Sequence, residues 1–158
     1  MARGKFSFRD GDWFAVPLRD GGFAVGVLAR VSRTGVLFGY FFGPKRDTVP
    51  TLEDTRGLTS RQAVLVCQFG HLGLTGETWP ILGRDPAWDQ VAWPVPELHR
   101  HEGLTGRSYL VTYSDDDRLE PVSQREISYE EADRAPSEGL MGDGAVEIRL
   151  TRLLGEQG

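Results

Sequence analysis

Three apolar runs separated by two glycine turns most constrain how this chain folds. Trp13 to Leu18 (WFAVPL) follows a Gly11-Asp12 turn, and Arg19-Asp20-Gly21-Gly22 then interrupts it. Phe23 to Val31 (FAVGVLARV) comes next, and Arg33-Thr34-Gly35 separates it from Val36 to Phe42 (VLFGYFF). Glycine takes positive φ at no steric cost, so these breaks read as tight reversals. Phe23, Val25, Val27, Ala29 and Val31 share one face of the second run at a period of two. Two hairpins in succession make an antiparallel meander. Gly26 and Gly39 lie inside strands, where glycine marks a bulge or a close backbone approach, and they predict a curved sheet.

The rest of the chain continues in the same style. Residues 43–60 are polar and turn-rich and predict a long loop with a helical turn near Glu53. Ala63 to Phe69 (AVLVCQF) predicts a central strand buried on both faces. Gly70 to Thr78 reads as a bend, and Trp79-Pro80-Ile81-Leu82-Gly83 as a short strand. Asp85 to Pro96 carries three prolines, which remove ladder donors and predict an extended surface segment. Ser108 to Tyr113 predicts a strand, Asp115 to Arg118 a charged turn, and Leu119 to Ile127 an exposed strand. Ser128 with Glu131 three residues on forms a capping box and starts a helix. Val146, Leu150, Leu153 and Leu154 repeat at helical spacing and favour a terminal helix over the strand that Val146, Ile148 and Leu150 would also fit. No repeat or linker divides residues 1–158, so one domain is expected.

Composition narrows the functional classes. Hydrophobic residues make up 39% and charged residues 26% of 158, the mix of an ordinary globular protein. The single Cys67 excludes an internal disulfide framework and fits a reducing compartment. The amino terminus has no apolar segment of the secretory type, and no stretch approaches the ~20 apolar residues of a membrane helix. A cytoplasmic location and no membrane partner are therefore expected. The formal charge is −5 and unevenly placed: residues 1–107 carry 13 basic against 11 acidic side chains, residues 108–158 carry 5 against 12. An acidic face repels nucleic acid and attracts basic proteins.

No catalytic constellation stands out. Cys67 sits inside an apolar run, where a thiol behaves as a small hydrophobe. His99 and His101 would project to one side of a strand, as two metal ligands could. With no second cysteine and only His71 besides, the usual ligand set is incomplete and no metal is expected. Asp115-Asp116-Asp117 with Glu120 lacks the spacing and distal glutamate of a calcium loop. No phosphate-cradling loop is present, and no cofactor is implied. Arg30 and Arg33 near Tyr40 and Phe42 make the best basic patch, against the sign of the overall charge. Trp13 and Trp79 are expected in the core. Trp88 and Trp93, among prolines and charges, fit either local packing or contact with a partner.

The residues Gly11-Asp12-Trp13-Phe14-Ala15-Val16-Pro17-Leu18, followed by Asp20-Gly21-Gly22-Phe23-Ala24-Val25-Gly26-Val27-Leu28, resemble the opening of the Immunity protein 26 family. Its members open with a G-D-x-F-A-I-P-L-like strand, a D-G turn and an aromatic-A-x-G-aliphatic strand. Trp79-Pro80-Ile81-Leu82-Gly83 and the stretch ending at Pro96 fit as well. The resemblance covers roughly residues 10–97, with 145–150 matching more loosely. Its motif positions here are Gly11, Asp12, Trp13, Pro17, Gly22, Gly26, Trp79 and Gly83. Similar openings occur in small SH3-like barrels of toxin–antitoxin proteins.

The resemblance implies a bacterial immunity protein of a polymorphic toxin system, which binds and blocks its cognate toxin without chemistry of its own. The expected fold is mainly β: an antiparallel meander forming a curved sheet or SH3-like partial barrel, with one or two short helices near the carboxyl terminus. The expected partner is a basic toxin, for which a nuclease is one candidate, with no nucleic-acid partner. Charge and exposure, not a family motif, nominate Asp115, Asp116, Asp117, Glu120 and Glu126 for contact, with Trp88 and Trp93 as anchors. Two other readings stand beside this one. Arg30, Arg33 and the Gly11-Asp12 opening would suit a ribonuclease-like toxin or nucleic-acid-binding barrel. The tryptophans would suit a small-molecule or peptide pocket.

Overall fold

The computed structural model describes residues 6–157, without the side chains of the last two. Residues 1–5, on which part of the reading of the amino terminus rests, lie outside it. The three apolar runs form β1 (Asp12–Pro17), β2 (Phe23–Val31) and β3 (Leu37–Arg46). They pair antiparallel in order, as the glycine turns require. The third strand outruns its expected end, because pairing with β2 continues to Arg46 opposite Phe23. β4 (Leu65–Phe69) adds beside β3, and β5 (Ile81–Arg84) beside β1. β4 is not central: beyond it lies only the two-residue β9 (Leu140–Met141), paired in parallel. The six-stranded order is β5-β1-β2-β3-β4-β9, and the sheet is not closed.

A second, three-stranded antiparallel sheet holds β6 (Leu98–His101), β7 (Ser108–Tyr113) and β8 (Pro121–Ile127). The helices are α1 (Leu72–Thr75), α2 (Tyr129–Asp133) and α3 (Asp143–Gln157). α1 falls where a bend was expected. Ser128 caps α2, its hydroxyl accepting from Glu131 N. Thr51 opens a 3-10 turn at Leu52–Thr55, close to the turn expected near Glu53.

The large sheet has a core on each face. On one side Phe14, Val16, Leu28, Phe41, Phe69 and Trp79 pack with Val146, Leu150 and Leu154 of α3. These three helix residues lie at i, i+4 and i+8, one stripe facing the sheet. Trp79 stacks on Phe14 with centroids 5.6 Å apart, and its Nε1 donates to Glu147 of α3 at 2.8 Å. Glu147 also accepts from Arg19 Nε at 3.0 Å, so one carboxylate ties the helix to both the core and the β1–β2 turn. On the other side Trp13, Val25, Val27, Phe38, Tyr40 and Phe42 pack with Trp93, with Leu98 of the second sheet and with Leu119. The result is a helix layer, a six-stranded sheet, and a smaller sheet on its far face.

A bulge in β2 shapes everything that follows. Leu28 pairs with Gly39, but Arg30 pairs with the next residue, Phe38, so two residues oppose one. The alternation breaks there. Ala29 joins the second core and Arg30 bonds to Trp93 of that core, while Val31 packs against the first. Val31 therefore does not share the face of Val25, Val27 and Ala29, as strict alternation predicts. Gly26 is no bulge but a close approach: a Cβ there would lie 2.6 Å from Phe14 Cζ.

Candidate functional site

The bulge delivers Arg30 to the seam between the two sheets. Its guanidinium is buried (Arg30 is 4% exposed) and donates to the carbonyls of Ala29 at 2.6 Å and Trp93 at 3.0 Å. Nε and Nη2 grip Asp115 in a two-pronged pair, the Nη2–Oδ2 distance being 3.1 Å. Such a fork matches a carboxylate in plane and in spacing. The hydrogen bonds from Arg30 hold the Asp115 carboxyl below the usual carboxylate range.

Asp115 opens a closed acidic turn between β7 and β8. Ser114 N donates to Glu120 O at 2.8 Å, and Leu119, at positive φ, is buried inside. Asp116 accepts from Ser114 Oγ and from Arg118 N, both at 2.9 Å, and the backbone bond keeps its carboxyl below the ordinary range. Asp117 stands 3.8 Å from Arg33, whose amide donates to Asp117 O at 2.8 Å. Glu120 lies 3.6 Å from Arg118. All four carboxylates of the turn are exposed, but that of Asp115 is engaged by Arg30, which leaves Asp116, Asp117 and Glu120 as the charges not held by a buried partner.

A cleft of about 520 Å³ adjoins it, bounded by Phe6 to Asp10, the β2–β3 turn, Arg84 and Asp117. Asp10 Oδ1 accepts from Val31 N, and burial pushes its carboxyl up. Asp12 Oδ2 accepts from Arg9 N, and burial raises it likewise.

The other nominated residues fall elsewhere. Glu126 is near the far end of β8, opposite Tyr109 and 3.9 Å from Arg107. At ~3.3 Å per residue that is about 20 Å from Glu120. Trp93 is 7% exposed, edge-on to Trp13, Tyr40 and Phe42. It is therefore a core residue, not a displayed anchor. The segment around it is not simply extended either: Asp89 caps a 3-10 turn at Gln90–Ala92 that folds Trp93 inward. Trp88 is half-buried and stacks on Trp93 at 5.6 Å, leaving it the tryptophan a partner can reach.

The motif positions are structural. Gly11 has φ +90°, and a Cβ would meet Trp88 at 2.8 Å and Arg84 at 2.9 Å. Trp13 and Trp79 fill the two cores. Gly22 has φ +80° against Arg46 O, and Gly83 has φ +137° at a register break between β1 and β5. Pro17 ends β1 opposite Phe23.

Two further polar groupings lie on the second sheet. Arg100 and Tyr113 donate to Glu138. Burial opposes ionisation of Glu138, yet these bonds hold its carboxyl below the usual range, and burial with the same contact raises the Tyr113 phenol to about 12. His99, His101 and Asp133 each bring one ligand-type atom within 4.8 Å of the others. Sequence spacing pointed to the two histidines but not to Asp133, which arrives from α2. Cys67 is buried, which lifts its thiol to about 12 and keeps it unreactive. Among the described residues, no helix is long and apolar enough to cross a membrane.

Fold and surface together define a mainly β domain of two sheets, with a paired-charge turn at their seam. The chain belongs to the Immunity protein 26 family, whose model matches residues 9–110, from the segment before β1 into β7. No curated protein and no solved structure matches it.

Proposed function

We propose that this protein is the cytoplasmic immunity partner of a bacterial polymorphic toxin, and that it neutralises the toxin by binding alone. Membership of the Immunity protein 26 family carries this reading. The docking surface is the acidic turn, with Asp116, Asp117 and Glu120 as the exposed charges and the partly exposed Trp88 as a candidate aromatic contact. Asp115 orders the turn from within through Arg30. The family match ends at residue 110, before the turn begins at Ser114. A shared scaffold can thus present a partner-selecting segment outside the part common to the family.

A basic toxin suits this turn. Opposite fields speed encounter, and an acidic loop competes for a site that binds phosphate. The nuclease-like alternative loses its main support, because Arg30 is buried and paired and Arg33 faces Asp117. The tryptophans do not converge on one pocket: Trp13, Trp88 and Trp93 belong to one face of the sheet and Trp79 to the other.

Co-expression tests the proposal. Bacteria producing a candidate cognate toxin domain should stop growing when it is made alone and recover when this protein is made with it. Continued arrest, with both proteins soluble, contradicts the reading.

A further inference from the structure

The small sheet carries an arrangement that toxin binding does not use. His99 and His101 project from β6, and Asp133 closes α2 against them. His99 Nδ1 lies 2.7 Å from the carbonyl of Ala135. A carbonyl only accepts, so Nδ1 carries the proton and the neutral ring keeps its lone pair on Nε2. His101 Nδ1 lies 2.8 Å from Ser108 Oγ, and its Nε2 is buried with no hydrogen-bond partner. That nitrogen is 3.7 Å from Asp133 Oδ1. A buried unpaired ring nitrogen is costly unless something occupies it. A ligating histidine donates its other ring N–H to a carbonyl, carboxylate or water, which leaves one ring nitrogen for the ion.

We propose that His99, His101 and Asp133 form a site for a divalent transition-metal ion of the zinc type. Two imidazoles and one carboxylate make a three-ligand set that leaves a position for water. The present spacing is slightly wider than a closed shell needs. Asp133 supplies the adjustment, because its side chain is 65% exposed and free to swing inward. A cavity of about 580 Å³ bounded in part by His99, Asp133 and Ala135 gives the ion access. Bound there, the ion clips α2 to β6, cross-linking residues 99 and 101 to residue 133. This does not rest on the toxin-binding reading.

Tag-free protein, stripped with chelator, is titrated with Zn²⁺ by calorimetry and with Co²⁺ by visible spectroscopy. The site predicts one equivalent of each bound, Co²⁺ bands of a low-coordinate centre, and a rise in the unfolding midpoint with Zn²⁺. Asp133→Asn, at an exposed side chain, should weaken Zn²⁺ by at least about tenfold while leaving the metal-free fold intact. His101→Gln should do the same, and His71→Gln should change nothing. Absence of saturable binding by the unaltered protein overturns the proposal. So does undiminished affinity in Asp133→Asn.

Discussion

Arg30 and Asp115 are 85 residues apart in sequence, and their side chains meet in a two-pronged ion pair across the seam between the sheets. The arginine is buried and the aspartate half exposed. Removing the arginine's partner therefore leaves a buried cation with only two carbonyls and whatever water can enter. An exposed pair would contribute little, but a pair with one buried member is costly to break. Asp115→Ala is expected to lower stability by about 2 kcal/mol, and Asp116→Ala by clearly less. Urea unfolding followed by fluorescence measures both.

The same pair has a pH signature. The folded-state carboxyl of Asp115 lies below its ordinary value, so its contribution is present above that ordinary value. It is lost as pH falls through the lowered one. Asp10 and Asp12 run the other way: burial raises them, so their ionisation costs stability as pH rises through the raised values. The difference in stability between the unaltered protein and Asp115→Asn isolates the first effect. It should be constant near neutral pH and shrink on acidification below the usual carboxylate range. A difference that does not change with acid would remove the ion pair from the account.

Gly26 should not tolerate a side chain. Its missing Cβ would lie 2.6 and 2.7 Å from the Phe14 ring, which is fully buried and stacked on Trp79. Gly26→Ala is expected to cost about 2–3 kcal/mol through overpacking. Gly103→Ala, with nothing within 4 Å, should stay within about 0.5 kcal/mol. Thermal or urea denaturation of the two variants checks the contrast.

α3 holds to the sheet by one stripe. Leu150 is fully buried between Val146 and Leu154, whereas Ile148 on the same helix is exposed. Leu150→Ala should cost about 3 kcal/mol, and Ile148→Ala well under 1. Equal effects would mean that the helix packs differently.

The acidic turn should act on rate before affinity. Replacing Asp116, Asp117 and Glu120 by alanine removes exposed charge and leaves the Arg30–Asp115 pair in place. Association with the toxin should slow by about tenfold at low salt, with a flatter salt dependence. Glu126→Ala, at the other end of β8, should change the rate far less. Stopped-flow measurement across a salt series distinguishes them, and an unchanged rate for the triple variant would move the docking surface elsewhere.

Much of the fold was legible because local signals and tertiary structure agree. FAVGVLARV alternates and sits between glycine turns, and it is β2 to the residue. Val146, Leu150 and Leu154 share a helical stripe, and the helix is there. What could not be read depends on pairing partners distant in sequence. The bulge at Ala29 leaves no mark in residue type, yet it brings Arg30 to the seam as its ion-pair donor and sends Val31 to the other core. Two strands of the second sheet, at Ser108–Tyr113 and within residues 119–127, were legible, but nothing local showed that they pair with the short, basic β6 as a sheet separate from the first. The sequence left Trp93 open between local packing and partner contact, because the turn capped by Asp89, which folds it inward, is short and weakly signalled. The acidic turn itself was visible in sequence, but not that Asp115 is paired with Arg30. Asp133 could not be joined to the two histidines without knowing where α2 lies.

The central claim is that the protein holds a toxin by direct binding, and isolation of its complex from the producing strain tests it most directly. Tagged protein, recovered gently and examined by mass spectrometry, should bring down one secreted toxin in equal amount, held through the toxin's carboxyl-terminal domain. The Asp116, Asp117 and Glu120 triple variant should recover less of it at the same wash salt. Recovery of the protein alone, from cells shown to be making the toxin, would contradict the account.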